Sequence, residues 1–425
     1  MSNVLPTPAE STPSASTPLR VLTLSTTAFT LLFAVWLMFG VLGVAIKAEF
    51  GLTTVQFAWL TAIAILNGAI WRLPLGILTD RLGGRLVTTV LLLLTAIPCF
   101  LVSYATSYTE LMIYAALVGI AGNSFSVGIA WNSAWFAKDR QGLALGVYGA
   151  GNIGASVTKL IGPILITAIP ASGWFDGIIP GGWRFIPIIY TVALVLMAVV
   201  IWFGSPKNDR RPAVGRKLSV MLQPLRSIRV LRFGLYYVLL FGGFVALSLW
   251  LPNYYTTVFG LSLGKAGLLS ACFIFTTSLL RPVGGWLSDK IGARPVMYGV
   301  FTTLTACLLP LALITDIPVW AFTALTVILG VAMGMGNSTV YKYITDYYPK
   351  DVGAVGGLVG TMGALGGFLL PLLFGYLYAW TSMPQSTFGV LLFLLTICFV
   401  WLHLSVRGLK RAAQVDLVPS SALTA

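Results

Sequence analysis

The sequence has little charge, and negative charge is the scarcer sign. Asp, Glu, Lys and Arg make up 9% of its 425 residues, with twelve acids and a single histidine, whereas a soluble domain carries about 25% charge. So few acids and bases leave little machinery for acid–base catalysis, and the sequence has no phosphate-binding loop and no zinc-ligand spacing. We therefore predict a protein that is not an enzyme and that needs no cofactor and no metal.

Two further patterns are missing. The four cysteines, Cys99, Cys272, Cys307 and Cys398, are scattered through apolar stretches without the spacing of metal ligands, so they are interpreted as small apolar residues. Residues 1–19 are rich in Ser, Thr and Pro, with no basic start before an apolar core. This predicts a disordered tail rather than a signal peptide.

Long apolar runs dominate the rest of the chain. Hydrophobic residues make up 57% of the sequence, the mean hydropathy is +0.91, and runs recur near the length of about 20 residues that crosses ~30 Å of hydrocarbon. The runs are continuous rather than alternating, which favours helices over barrel strands. The sequence predicts an all-α membrane protein with twelve transmembrane helices. The predicted spans are 21–46, 55–78, 86–106, 110–136, 142–170, 184–204, 231–256, 265–287, 295–315, 318–344, 353–379 and 386–406.

Two sets of six spans form the predicted halves. The longest segment between spans, 205–230, contains SPKNDRRPAVGRK and is predicted to be a cytoplasmic central loop between an N-terminal half, 20–204, and a C-terminal half, 231–406. A cytoplasmic tail, 407–425, follows the last span.

The basic residues predict the orientation of the chain. If both termini are cytoplasmic, nearly all Lys and Arg of the loops face the cytoplasm, and Lys47, Arg184 and Lys265 face outward. This asymmetry is typical of a multi-pass protein of the cell inner membrane. Basic loops against anionic lipid headgroups also account for the net charge of +14 without nucleic acid as a partner.

Two arginines stand at equivalent positions of an internal repeat. Arg72 lies in IWRLPLGILTDRLGGR and Arg281 in LLRPVGGWLSDKIGAR, each eight residues before an acid, Asp80 or Asp289. Both arginines fall inside predicted spans, where an unpaired charge is costly, and no carboxylate lies in mid-span to neutralise them. A planar guanidinium offers paired N–H donors to a flat oxyanion. The pair therefore predicts a small-anion site between the halves.

The alternative for these arginines is that they extend to the lipid headgroups, although this does not explain why two positions in different halves share one depth. Two lysines are also predicted to be intramembrane, and no carboxylate is placed in mid-membrane to neutralise them either. Lys342 lies close to the end of its span, which favours a structural or interfacial role. Lys159 lies deeper, and structural and functional roles stay open for it.

Spans 5 and 11 are rich in glycine, as GVYGAGNIGASVTKLIGP and GGLVGTMGALGGFLLP show. Glycine lets helices approach closely, and the strips are interpreted either as static packing or as a moving interface. Asn152 adds an amide that needs a partner. The signature glycines are Gly149, Gly151, Gly154, Gly360, Gly363, Gly366 and Gly367.

Spans 4 and 10 share a Gly-Asn-Ser sequence that contains Asn123 and Asn337. Mutual hydrogen bonding of such polar residues across the bundle is the default interpretation. Aromatic residues such as Phe125, Tyr237 and Tyr341 are more often packing residues than walls of a ligand site.

The loop from Asp80 to Arg85, echoed from Asp289 to Arg294, resembles the loop signature of the major facilitator superfamily. The resemblance implies that superfamily's fold, with two pseudo-symmetric halves and a substrate site at mid-membrane. It also implies gating loops at these positions. Their charged residues are Asp80, Arg81, Arg85, Asp289, Lys290 and Arg294.

A narrower resemblance, over almost the whole chain except its tails, is to the nitrate/nitrite porter family. The runs 149–157 and 360–368 look like the two copies of that family's signature. The resemblance implies that Arg72 and Arg281 clamp the anion. It further implies that Tyr237, ahead of Phe-Gly-Gly-Phe, and Asn152 line the site. The span 10 run with Asn337, Tyr341 and Lys342 also matches the family's pattern, and these residues, with Asn123 and Lys159, are candidate accessory residues.

The start of the chain looks most like the shorter bacterial branch, which implies proton-linked nitrate uptake by alternating access. The residues themselves favour exchange, because no span holds a carboxylate and His403 lies at the end of span 12. Proton-linked uptake of nitrate, with nitrite as a further substrate, is the first expectation. The alternatives are a nitrate/nitrite antiporter, an organic-phosphate carrier and a membrane protein that transports nothing. The expected partners are a small inorganic anion, protons and the lipid bilayer, and the expected state is a monomer.

Overall fold

The computed structural model describes residues 16–170, 172–174 and 179–415, so most of both predicted tails lies outside the described residues. Within them the chain is helical, and the one pair of bridged residues is Trp174 with Ile179. The predicted all-helical fold is confirmed.

Six helical units make up the first half. Three of them contain a 3-10 turn, at Gly119–Asn123, Gly151–Ile153 and Gly182–Arg184. The helices are α1 (Ser16–Trp36), α2 (Phe39–Phe50), α3 (Thr54–Ile70), α4 (Arg72–Leu82), α5 (Gly84–Val102), α6 (Tyr108–Val118), α7 (Ser124–Trp135), α8 (Gln141–Ala150), α9 (Gly154–Ala168) and α10 (Phe185–Gly204).

The segment after α10 contains a short helix, α11 (Leu218–Leu222), and a 3-10 turn, Gln223–Arg226, so it is more ordered than the predicted loop. The second half then follows with a π-helical turn at Val238–Gly242. Its helices are α12 (Ile228–Tyr237), α13 (Gly243–Phe259), α14 (Leu263–Leu279), α15 (Arg281–Ile291), α16 (Ala293–Leu313), α17 (Val319–Tyr347), α18 (Val352–Thr381) and α19 (Ser386–Val415).

Ten helices of the described ranges are long and apolar enough to span a membrane, and the bent pair α3–α4 makes an eleventh span. The remaining predicted span, 142–170, is helical as α8, a 3-10 turn and α9. Large apolar side chains such as Phe203, Phe393 and Trp380 are exposed on the outside of the bundle. An apolar exterior of this extent suits lipid rather than water.

The helices of spans 2 and 8 are both interrupted one residue before an arginine. The first bends by 41° at Trp71, before α4, and the second is interrupted at Leu280, before α15. Pro74 and Pro282 explain the breaks, because proline lacks the N–H that continues the helix and its ring crowds the carbonyl four residues earlier. The repeat therefore places both arginines at helix starts.

Glycines let the two halves touch backbone to backbone at one end of the bundle. A Cβ on Gly285 of α15 would lie 1.9 Å from the carbonyl oxygen of Gly142 in α8. A Cβ on Gly76 of α4 would lie 2.2 Å from that of Gly353 in α18. This end holds the loops 81–85, 137–141, 205–227, 290–294 and 348–352, and we name it the basic end. The contacts close the basic end in this structure.

Replacing Gly285 by alanine should open the basic end, because the added methyl group cannot fit against Gly142. Overpacking of this kind costs about 1–3 kcal/mol, and it destabilises the closed state relative to the open one. Spin labels on Lys207 and Lys290, on a background without the native cysteines, should report a longer distance between the halves. Gly299→Ala is the control, since a Cβ there meets nothing within 4 Å. An unchanged distance in Gly285→Ala would contradict the conclusion that the Gly285–Gly142 contact closes the basic end.

Candidate anion-binding site between the halves

Arg72 and Arg281 lie on the interface between the halves, deep inside the protein. Their exposed fractions are 0% and 2%, which contradicts the alternative that they extend to the headgroups. No ion pair in the described part of the chain joins either arginine to a carboxylate. Among the described residues, their charges are therefore offset only by dipoles and by aromatic faces.

Each guanidinium donates a hydrogen bond to a glycine carbonyl of the opposite half. Arg72 Nη1 lies 2.9 Å from the oxygen of Gly360, and Arg281 Nη1 lies 3.0 Å from that of Gly149. Arg72 Nε also donates to Gly68 O in its own span, at 2.9 Å. Because carbonyl dipoles only partly replace water around a cation, the site retains a net attraction for an anion.

Two donors of the pair have no protein partner. Arg72 Nη2 and Arg281 Nε are both inaccessible to solvent and form no hydrogen bond with the described residues. A buried N–H without an acceptor costs about 1–3 kcal/mol, and more when it is charged. One donor on each arginine is therefore free for an anion's oxygens.

Two phenylalanine rings lie next to both arginines, and we name the site between these four side chains the chamber. Arg72 Cζ lies 5.6 and 5.4 Å from the ring centroids of Phe125 and Phe241, and Arg281 Cζ lies 5.6 and 5.7 Å from the same two centroids. The rings are nearly parallel, with centroids 6.0 Å apart. Phe125, interpreted from sequence as a packing residue, therefore walls the site. Its Gly-Asn-Ser-Phe context gave no signal of this role, whereas Phe241 belongs to the Phe-Gly-Gly-Phe run.

Tyr237 and Tyr341 complete the aromatic wall. Tyr237 accepts a hydrogen bond from Arg281 Nη2 at 3.4 Å and stacks on Phe241 with centroids 5.0 Å apart. Tyr341 meets the Tyr237 ring edge-on at 5.2 Å, and its hydroxyl donates to Gly356 O at 3.1 Å. Tyr237 thus orients Arg281, whereas the hydroxyl of Tyr341 is hydrogen-bonded to the backbone of α18.

The three predicted asparagines differ in their bonding. Both amide atoms of Asn152 are buried without a partner, and so are both of Asn337. Asn123 Nδ2 instead donates to Asn67 O and Ile120 O, at 3.2 and 2.9 Å, which joins spans 2 and 4. Asn152 follows Gly149, whose carbonyl accepts from Arg281, by three residues in the sequence. Its unsatisfied amide is therefore about one helical turn from that contact along span 5.

The expectation that no carboxylate neutralises the buried bases is wrong for Lys342. Its Nζ lies 3.0 Å from Asp289 and 3.3 Å from Asp346, and it donates to the carbonyl of Lys138. Lys342 therefore belongs to the closure of the basic end rather than to the anion site. The side chain of Lys159 lies outside the described residues.

The signature glycines serve two purposes. Gly149 and Gly360 admit the arginines: a Cβ on Gly149 would lie 2.8 Å from Arg281 Nη1, and one on Gly360 would lie 3.3 Å from Arg72 Cδ. The others permit close packing within a half. In α9, for example, a Cβ on Gly154 would lie 2.1 Å from Thr30 O. The equivalent packing positions are Gly151, Gly363, Gly366 and Gly367.

The two loop acids each cap a helix of the opposite half. Asp80 accepts from Gly353 N at 2.9 Å, at the start of α18. Asp289 accepts from Gly142 N and Leu143 N at 3.0 and 2.8 Å, at the start of α8. A carboxylate at a helix N-terminus satisfies free N–H groups and complements the helix dipole. These caps hold the halves together when the basic end is closed.

Three other charged residues of the loops contact their own half or the segment that follows α10. Arg81 Nη2 donates to Arg216 O at 2.7 Å, and Arg85 Nε donates to Trp202 O at 2.9 Å. Lys290 lies over the Trp286 ring at 4.4 Å.

The segment between the halves adds contacts that sequence reasoning missed. Asp209 accepts from Trp131 Nε1 and Trp135 Nε1, both at 3.0 Å, and from Arg85 N at 2.8 Å. Arg216 Nη1 lies 2.7 Å from Asp351 Oδ1 and directs its hydrogen bond to Lys350 O, also at 2.7 Å. The segment is thus anchored to the first half and reaches the second.

A comparison with known families matches this architecture. The family described as Major Facilitator Superfamily matches residues 24–267 and 254–424, which together cover most of the chain. The chain belongs to the major facilitator superfamily. Two superfamily structures share the fold at low identity. One is FucP in its outward conformation, with a TM-score of 0.69, 15% identity and coverage of 90% of this chain and 98% of that one. The other is the human organic anion transporter MFSD10, with a TM-score of 0.71, 16% identity and coverage of 92% of this chain and 100% of that one.

Two relatives identify the family within this superfamily. The chain is 60% identical over 414 residues to the "Probable nitrate/nitrite antiporter NarK1" of Thermus thermophilus, covering 93% of this chain and 94% of the relative. It is 32% identical over 389 residues to the "Nitrite extrusion protein" of Bacillus subtilis (strain 168), covering 90% and 94%. Within the major facilitator superfamily the chain therefore belongs to the nitrate/nitrite porter family.

Removing the charge of Asp289 should weaken closure of the basic end more than removing that of Asp80. Asp289→Asn leaves Lys342 with Asp346 as its remaining acid, whereas Asp80 has no basic partner among the described ion pairs. In a double-mutant cycle on thermal unfolding, Asp289→Asn and Lys342→Met should show a coupling energy of about 1–3 kcal/mol. Additive effects of the two substitutions would show that the pair does not support the closed structure.

Proposed function

We propose that this chain transports nitrate, with nitrite as a second substrate, across the cell inner membrane by alternating access. The observation that carries the proposal is the pair of buried guanidinium groups that face the same two phenylalanine rings and retain one free donor each. The names of the relatives, a nitrate/nitrite antiporter and a nitrite extrusion protein, support the choice of anion.

The negative charge of the anion couples its binding to closure of the basic end. With the chamber empty, the positive charges of Arg72 and Arg281 repel each other across the interface, and the repulsion is strong because the surroundings are apolar. A bound anion removes that repulsion and accepts from the free Nη2 of Arg72 and Nε of Arg281. The glycine carbonyls of the opposite half then complete the solvation of both guanidinium groups.

The walls favour a small planar anion over an organic phosphate. Phe125, Tyr237, Phe241 and Tyr341 are buried, and their rings pack against one another within 5.0 to 6.1 Å between centroids. A sugar phosphate needs a broad polar face, and these four rings do not provide one. An oxyanion of three or four heavy atoms suits such a chamber.

For the coupling, we propose exchange of one anion for another. Inward movement of a lone anion against an inside-negative potential is opposed by about 2.3 kcal/mol per 100 mV, whereas exchange of two monovalent anions moves no net charge. The acids nearest the gate, Asp80 and Asp289, are engaged in helix caps, and His403 bonds Tyr298 at 3.2 Å. Proton-linked uptake, which the resemblance to the shorter bacterial branch implies, is the second candidate.

Arg72→Lys should lose most of its nitrate transport at equal surface expression. An ammonium lacks the planar fork that binds Gly360 and the anion together, and the loss of a charged hydrogen bond predicts a rate roughly 10- to 100-fold lower. Uptake of labelled nitrate into cells or proteoliposomes measures this effect. Arg20→Lys is the matched control, since Arg20 is exposed at the start of α1, outside the chamber and the gating loops, and it should retain near-normal uptake. Normal uptake by Arg72→Lys would contradict the clamp.

Reconstituted protein separates the two coupling modes. Under exchange, nitrate influx should rise with nitrite or nitrate loaded inside the vesicles, and the internal pH should stay constant during uptake. An internal pH dye and labelled nitrate, followed in the same vesicles, report both quantities. Influx into anion-free vesicles that acidifies their interior would instead establish proton-linked uptake and overturn exchange.

A further inference from the structure

A second basic site lies on the outside of the bundle, away from the anion chamber. A groove of about 460 Å³ runs between the start of α16 and the final turns of α19 at the basic end. It is lined by Arg294, Pro295, Tyr298, His403, Val406 and Arg407. Since His403 and Arg407 are exposed, the groove is accessible from the surroundings of the bundle.

The positive charge of the groove is unbalanced. Neither Arg294 nor Arg407 forms an ion pair with any acid of the described ranges. The acids at this end of the second half have other partners, because Asp289 and Asp346 pair with Lys342 and Asp351 pairs with Arg216. The two groove arginines therefore present positive charge outward.

Polar atoms without partners lie on α12 and α17, the helices that pack against α16 and α19. Arg232 Nε and the hydroxyls of Tyr236 and Tyr343 are buried and form no hydrogen bond with described residues. Tyr298 of α16 bonds His403 of α19 at 3.2 Å across the groove. The helices behind the groove thus carry donors that the described residues leave unsatisfied.

An apolar track leads from the groove toward the middle of the membrane. Ile397, Val400 and Leu404 of α19 are exposed on the outer surface, and along α19 the first two lie on the side of His403 away from the basic end. A ligand with an anionic head and an apolar tail matches both parts of this surface.

We infer that the groove between α16 and α19 binds the phosphate of an anionic phospholipid, with an acyl chain along Ile397 and Val400. A zwitterionic lipid fits less well, since its ammonium group would face two arginines. The basic residues assign this end to the cytoplasmic leaflet, whose surface is negatively charged. The inference does not depend on which anion the central chamber carries.

Native mass spectrometry of the full-length protein, with phosphatidylglycerol or phosphatidylcholine of identical acyl chains, tests the site. We expect one phosphatidylglycerol to be retained preferentially. The double variant Arg294→Gln, Arg407→Gln should weaken that binding roughly thirtyfold, about fivefold for each arginine near an anionic headgroup. Arg294→Lys, Arg407→Lys should retain most of the binding, because the charge is kept.

Arg20→Gln is the matched control, since Arg20 is an exposed arginine at the start of α1 with no place in the groove. Its lipid binding should equal that of the unaltered chain. Equal retention of the two lipids, unchanged binding by the double glutamine variant, or displacement of the lipid by inorganic phosphate alone would each overturn the inference. The thermal midpoint of each variant without added lipid shows whether the fold is intact. If the double glutamine variant unfolds, the single variant Arg407→Gln, at an exposed position, provides the test, and it should bind the lipid about fivefold more weakly.

Discussion

The cost of keeping two guanidinium groups in an apolar interior shapes much of this protein. Neither Arg72 nor Arg281 has an acid partner among the described residues, so each must be solvated by backbone carbonyls, by aromatic faces or by a ligand. Carbonyls can approach only where no side chain intervenes. The glycine strips of spans 5 and 11 meet this need, because they expose the carbonyls of Gly149 and Gly360 to the opposite half.

The same requirement links binding to the position of the halves. The carbonyls that solvate Arg72 and Arg281 belong to the other half in each case, so each charge is best stabilised when the halves are together at the basic end. The helix caps on Gly353 and Gly142 close at the same time. Under the proposed function, closure of the gate and solvation of the site are parts of one movement, and an anion that lowers the repulsion between the arginines favours both.

Much of the fold followed from the sequence because the governing patterns are local. Apolar run length predicts the spans, and an internal repeat identifies Arg72 and Arg281 with no knowledge of their neighbours. The Lys342–Asp289 pair was missed because the two residues are 3.0 Å apart in space but far apart in the sequence. Asp346 follows Lys342 by only four residues, but it lies beyond the predicted end of span 10. The anchoring of Asp209 by two tryptophans was missed for the same reason. The role of Phe125 depends on which way a helix is turned, and a helix that is apolar on all sides gives no periodic signal of that orientation.

The two sides of the gate are built from different chemistry despite their shared repeat. The Lys342–Asp289 pair has side chains that are 7% and 7% exposed, whereas the Arg216–Asp351 pair is 25% and 13% exposed. Dissolved ions screen accessible charges far more than enclosed ones. Lys342 and Asp289 both belong to the second half and hold the first half through backbone atoms of Lys138, Gly142 and Leu143. Arg216–Asp351 instead joins the segment between the halves to the start of α18. Raising the ionic strength on that face of the membrane will therefore loosen the α4–α18 side before the α8–α15 side, so that the two halves separate by tilting about one edge instead of parting evenly.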